Sequence, residues 1–123
     1  KRAIRFIDNY INIYGYTTHS FLVKYNDSIW DIPESFFLTT RFVKHKVLRF
    51  FFMKRLKKSM LNAAKTNSLF HIWFHPHNFG TNTFECINQL KELLEYYEIL
   101  KEKYGMQNLN MSEIVDFIEN ENY

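Results

Sequence analysis

Three histidines, a tryptophan and an asparagine crowd one short stretch, Ser68 to Asn78, which reads SLFHIWFHPHN. Imidazole is the side chain whose charge changes nearest neutral pH, so such a cluster suits proton transfer or metal binding. In a strand, side chains alternate between the two faces. Read that way, Phe70, Ile72 and Phe74 point to one side and are purely apolar. His71, Trp73 and His75 point to the other, and each carries a ring nitrogen. Pro76 has no N–H to give to a ladder, so regular pairing is expected to stop about there. His75 then stands at the C-terminal end of the strand, with His77 and Asn78 on the loop just beyond. Parallel α/β folds build their sites at such strand ends.

Spacing narrows the chemistry. His71 and His75 lie two pleats apart, about 13 Å along a strand, too far to share one metal while the strand is regular. His75 and His77 are closer, and a His-x-His pair on a strand can chelate zinc, although Pro76 between them disturbs strand geometry. Three roles stay open for His75: metal ligand, general acid or base, and structural histidine held by a hydrogen bond. Asp27, Trp30 and Asp31 form a second cluster. An Asp near a strand end can orient a histidine, and a Trp can wall a sugar or an acetyl group. The plainer alternative is a pair of turn aspartates around a core Trp.

The run from Arg41 to Lys58 interleaves Lys and Arg with Phe, a composition that invites a nucleic-acid reading. Its spacing is that of an amphipathic helix with a solvated basic side, and no nucleic-acid partner is expected. Phe50, Phe51 and Phe52 together exceed what one helical stripe can bury, so one of them is expected to touch another element or a partner chain. No phosphate-cradling Gly loop, serine elbow or zinc-finger pattern occurs.

The supporting elements follow from pattern. With 123 residues there is room for one domain or part of one. No apolar run approaches the roughly 20 residues of a membrane-spanning helix, so no membrane span is expected. Cys86 is the only cysteine, which excludes an intrachain disulfide and a cysteine-cluster metal site. The chain starts with Lys and no charged-then-apolar leader precedes it, so it is expected to be processed or a piece of something longer. The net charge of +3 hides a division: no acidic residue lies between Glu34 and Glu85, whereas the last third is rich in Glu. Such patchworks mark elements that complement one another in the fold.

Lys1 to Tyr14 reads as an amphipathic helix closed by Gly15 in the left-handed conformation. Tyr16 to Asn26 is expected to be loop with a little extended structure, and Asp27 to Pro33 a short strand. The conformation of Phe36 to Leu38 is left open. Arg41 to Asn67 is a helix with Val43, Val47, Phe50 and Phe51, then Met53, Leu56, Met60 and Ala63, on its apolar side, and with Arg55 among the wet residues. After the histidine strand, Asn82 and Glu85 match a capping box for a helix to Tyr104, whose stripe is Ile87, Leu90, Leu94, Tyr97 and Leu100. Met106 to Leu109 is expected as a last short strand. Asn110, boxed with Glu113, starts a final helix. Alternating helices and strands argue for an α/β fold with parallel strands. Two or three strands cannot close a barrel, so the chain reads as the terminal half of a single domain.

The stretch FHIWFHPHNF, the helix QLKELLEYYEILKEKYGM and the following LNMSEIVDFI resemble the C-terminal end of polysaccharide deacetylases of the NodB-homology type. IWDIPESFFL, with a basic helix leading into the strand, fits the same portion, so the resemblance covers most of the chain after Asp27. It implies the C-terminal part of a distorted (β/α) barrel and a divalent metal, usually zinc, in the parent protein. It also implies removal of acetyl groups from N-acetylated sugars of a glycan. The family's late-strand histidine, which protonates the departing amine, matches His75. Trp30, Trp73, His77 and Asn78 are the candidates to line the substrate site, Trp30 lying near the family's penultimate motif. The usual Arg and Asp of that motif are not in the expected arrangement, and no HxxxH with an upstream Asp-Asp pair occurs. The metal ligands, the catalytic base and the Arg-x-Pro loop would therefore belong to a missing N-terminal half. No metal is expected on this chain alone, and alone it should be silent. Two other readings stay open: a non-enzymatic module binding an acidic partner through the Arg41–Lys58 helix, and a self-contained zinc protein using His75 and His77.

Overall fold

The computed structural model describes residues 15–16, 18–19, 23–26, 29–41 and 43–120. The helix expected over Lys1–Tyr14 lies outside them, as does Asp27. Gly15 has φ +90°, the left-handed region anticipated for it.

Four short strands and three helices make up the described residues. β1 (Val23–Asn26) pairs antiparallel with β2 (Ile29–Asp31), Lys24 opposite Trp30. β3 (Phe36–Phe37) pairs parallel with β4 (Ile72–Trp73), with Phe36 opposite Ile72 and Phe37 opposite Trp73. Between them runs α1 (Lys46–Thr66). A parallel pair needs such a crossover, so β3–α1–β4 forms a βαβ unit. Its first strand, however, is Phe36–Phe37, whose conformation the sequence leaves open, whereas the strand expected over Asp27–Pro33 contributes β2 to an antiparallel pair. A 3-10 turn (Pro76–Phe79) leads from β4 to α2 (Thr83–Tyr104), and α3 (Met111–Asn120) ends the described chain.

β1 is the little extended structure expected within Tyr16–Asn26, and it pairs locally with β2, which takes Ile29–Asp31 of the strand expected over Asp27–Pro33. Several expectations need correction. The histidine strand is shorter than expected, and residues 106–110 are irregular rather than a strand. α1 begins five residues after Arg41, because the chain first turns through a bond from the Val43 N–H to the Thr40 carbonyl (3.3 Å). Arg55, assigned to the wet side, is only 3% exposed. Its guanidinium donates to Ser59 Oγ (2.9 Å) and lies over the ring of Phe36 (5.8 Å), so the buried charge keeps polar and aromatic partners. Phe50 and Phe51, assigned to the apolar side, are 60% and 43% exposed, whereas Phe52 is buried edge-on against Phe36.

The core lies between α1, α2 and the inner face of β3–β4. Leu38 and Leu56 are fully enclosed there with Cys86, and Leu100 nearly so. Ile72 of β4 and Phe70 just before that strand pack against this cluster. On α2 the buried face is Cys86, Gln89, Leu93 and Leu100, rotated from the expected stripe, so that Ile87 and Leu94 are each half-exposed. The charge division has a direct counterpart. Glu92 of α2 accepts from Arg49 Nη2 (2.7 Å) and Lys57 Nζ (2.8 Å) of α1.

Helix ends show how far local signals reach. Asn67, at φ 49°, and Gly105, at φ 70°, close α1 and α2 in the left-handed conformation. At α3 the capping box forms in full. Asn110 Oδ1 accepts from Ser112 and Glu113 N–H (2.9 and 3.0 Å), and the Asn110 N–H donates to Glu113 Oε2 (2.7 Å). At α2 the box does not form. Asn82 makes no side-chain cap, and Thr83 Oγ1 donates instead to the Phe79 carbonyl (2.9 Å).

Candidate functional site

The two faces of β4 separate as alternation requires. Phe70 and Ile72 enter the core, and His71 and Trp73 turn to the opposite side. Parallel register sets Phe37 beside Trp73, with ring centroids 4.5 Å apart. His75, extended at φ −97° and ψ 122°, follows the strand and precedes the 3-10 turn that Pro76 opens. Its ring meets Trp73 edge-on at 5.1 Å and Phe37 at 6.0 Å, and the His77 ring stacks on it at 5.2 Å, tilted 21°. The outcome is a ladder of rings, Phe37, Trp73, His75 and His77, at the C-terminal end of the parallel pair.

Beneath it lies an open groove of about 680 Å³, lined by Asp31, Ile32, Pro33, Glu34, His71, Trp73 and Met111. His71 is fixed in it twice: its N–H donates to Ser35 Oγ (3.1 Å), and its Nδ1 is 3.3 Å from the Pro33 carbonyl. The indole Nε1 of Trp73 is buried and has no acceptor among the described residues. An indole N–H shut away from water normally finds a partner, since an unmet one costs about 1–3 kcal/mol.

Of the residues singled out in the sequence, Trp73, His75 and His77 come together. Asn78 joins through its backbone, its N–H donating to the His75 carbonyl (3.0 Å) and closing the turn. Trp30 does not join them: it stands half-buried on β2, and the neighbouring Asp31 reaches the groove in its place. His75 itself is exposed and is absent from the groove wall, although it follows the strand end where a site was expected. The physical reason is the turn: Pro76 opens the 3-10 turn directly after His75, so the strand has already ended there and the imidazole meets the Trp73 edge. Phe37 was missed, because nothing in a two-residue strand marks it until its register with Trp73 is known.

Among the described residues no group of three or more His, Cys, Asp or Glu converges to hold a metal ion. None of their helices is long and apolar enough to cross a membrane. Comparison with protein-family models, with curated proteins and with solved structures gives no match for this chain.

Proposed function

We propose that this chain is the C-terminal portion of a polysaccharide-deacetylase-like hydrolase that removes acetyl groups from N-acetylated sugars. Its contribution to catalysis is the proton donor His75. The observation that carries this reading is the placement of His75 against Trp73 at the C-terminal end of a parallel strand pair, with His77 stacked behind it. In that role the imidazolium gives its ring proton to the amine nitrogen as the amide C–N bond breaks, and neutral imidazole remains. Packing against indole on one side and imidazole on the other limits the ring's rotation, which keeps its N–H aimed. The Trp73 ring offers an apolar wall on which a sugar face or an acetyl methyl can rest.

The described residues do not fit a resident metal, so no step is assigned to one here. The ligands the family uses would belong to another part of the parent protein. One feature supports an incomplete scaffold: a parallel sheet of two two-residue strands.

In the full parent protein, His75→Ala lowers acetate release from chitin oligomers about 100-fold or more, with bound metal unchanged. Loss of metal in that variant would make His75 a ligand instead. This chain alone releases no acetate above background, and robust turnover by it would overturn the fragment reading.

A further inference from the structure

A second groove lies away from the histidines, on the outer side of the helical layer. It has a volume of about 570 Å³ between α1 and α2. Lys46, Phe50, Lys54 and Lys58 recur every fourth residue along α1 and so form one ridge, about 18 Å from end to end. Arg49, Met53 and Lys57 form the ridge beside it, and Glu92 and Tyr96 of α2 complete the wall. Among the described residues Glu92 is the only acidic one lining the groove, and its carboxylate is already held by Arg49 and Lys57. Lys46, Lys54 and Lys58 therefore give the groove a positive potential that no lining carboxylate offsets. The first turn of α1 contains no acidic residue, so the helix dipole adds to that potential at the Lys46 end.

The floor is apolar and aromatic. Met53 is 3% exposed, Phe50 is 60% exposed in the middle of the cationic ridge, and Lys54 and Lys57 lie over the rings of Phe50 (5.8 Å) and Tyr96 (5.4 Å). A uniformly charged polymer would satisfy the lysines but leave Phe50 in water. An acidic peptide with an apolar anchor satisfies both.

We propose that this groove is a docking site for an acidic peptide segment whose carboxylates meet Lys46, Lys54 and Lys58 while an apolar side chain seats on Phe50 and Met53. It is independent of the deacetylase reading, because the two grooves share no lining residue. It also gives Phe50, the more exposed of the two exposed phenylalanines in the consecutive Phe run, a partner.

The test uses the full chain and fluorescence anisotropy with three labelled probes: a short peptide of glutamates around a central pair of leucines, a polyglutamate of equal length, and a heparin oligosaccharide. The leucine-bearing peptide binds most tightly, and its affinity falls as salt rises. Lys54→Glu with Lys58→Glu weakens it by about tenfold or more. Phe50→Ser, a change at an exposed position that circular dichroism should show to be folded, weakens the leucine peptide but not polyglutamate. Equal binding of heparin or polyglutamate with no effect of Phe50→Ser would make the groove a general polyanion surface and overturn the proposal. Indifference of all three probes to the charge reversal would overturn it too.

Discussion

The helical layer and the strand layer of this molecule are built on opposite terms. α1 and α2 run 21 and 22 residues and hold most of the enclosed side chains, whereas β3 and β4 are two residues each and hold the candidate chemistry. Helices of that length satisfy their own backbone hydrogen bonds and need only one buried face. A short parallel pair satisfies little alone and leans on what covers it. The lesson is a separation of duties: the enclosed side chains cluster where Leu56 and Leu100 are buried, and the candidate site lies where Trp73 lines an open groove and His75 packs exposed against its edge.

The sharpest way to break that separation is to cut into each layer in turn. Leu56→Ala, at a fully enclosed position, should cost about 2–5 kcal/mol in urea unfolding. His75→Ala, at an exposed position, should stay within about 0.5 kcal/mol of the parent chain. Comparable losses from the two would mean that the ring ladder is part of the core and that the layers are not separable.

A smaller effect sharpens the comparison at the helix ends. Asn110→Ala removes an acceptor that serves two backbone N–H groups and should cost about 1 kcal/mol of stability. Asn82→Ala removes no such bond, and a loss of a few tenths of a kcal/mol is expected. Thermal unfolding of the two variants side by side decides it. Equal losses would show that Asn82 caps α2 in solution after all.

How much of this was legible in the sequence depends on the length over which each element declares itself. α1, α2 and α3 were readable because periodicity sums over many residues, and their stops were readable because Asn67 and Gly105 tolerate a left-handed backbone. The α2 face was misread since Cys86 and Gln89, a weak hydrophobe and a polar residue, take inward positions that Ile87 and Leu94 would fill on pattern alone. Arg55 was misread because two of its partners lie far away in sequence, at the Gly15 carbonyl and the Phe36 ring. β3 was not readable at all, because two residues have no period. Within the site, the order of His71, Trp73 and His75 gave the faces, while Phe37, Pro33 and Glu34 came into view only with the parallel register.

Titration separates the layers as well. Burial, with the nearby Glu85 charge as the lesser cause, raises the Cys86 thiol above its ordinary 9.0. Burial, then Tyr104, raises the Tyr96 phenol above 10.0. In both, folding favours the neutral, protonated form. Above pH 9 the unfolded chain therefore releases protons that the folded chain keeps, and stability falls with rising pH from there until the folded groups ionise too. The fall belongs to the helical layer. Cys86→Ala should remove the part that begins near pH 9 and leave the Tyr96 part, beginning near pH 10, in place. Denaturant midpoints measured from pH 8 to 11 on both proteins check this. The same burial should keep Cys86 from reacting with a thiol reagent until the chain opens, whereas exposed His75 and His77 should be acylated by diethyl pyrocarbonate in the folded state. Rapid thiol labelling of the native chain, at a rate unaffected by denaturant, would place Cys86 outside the α1–α2 interior and dissolve the contrast between the layers.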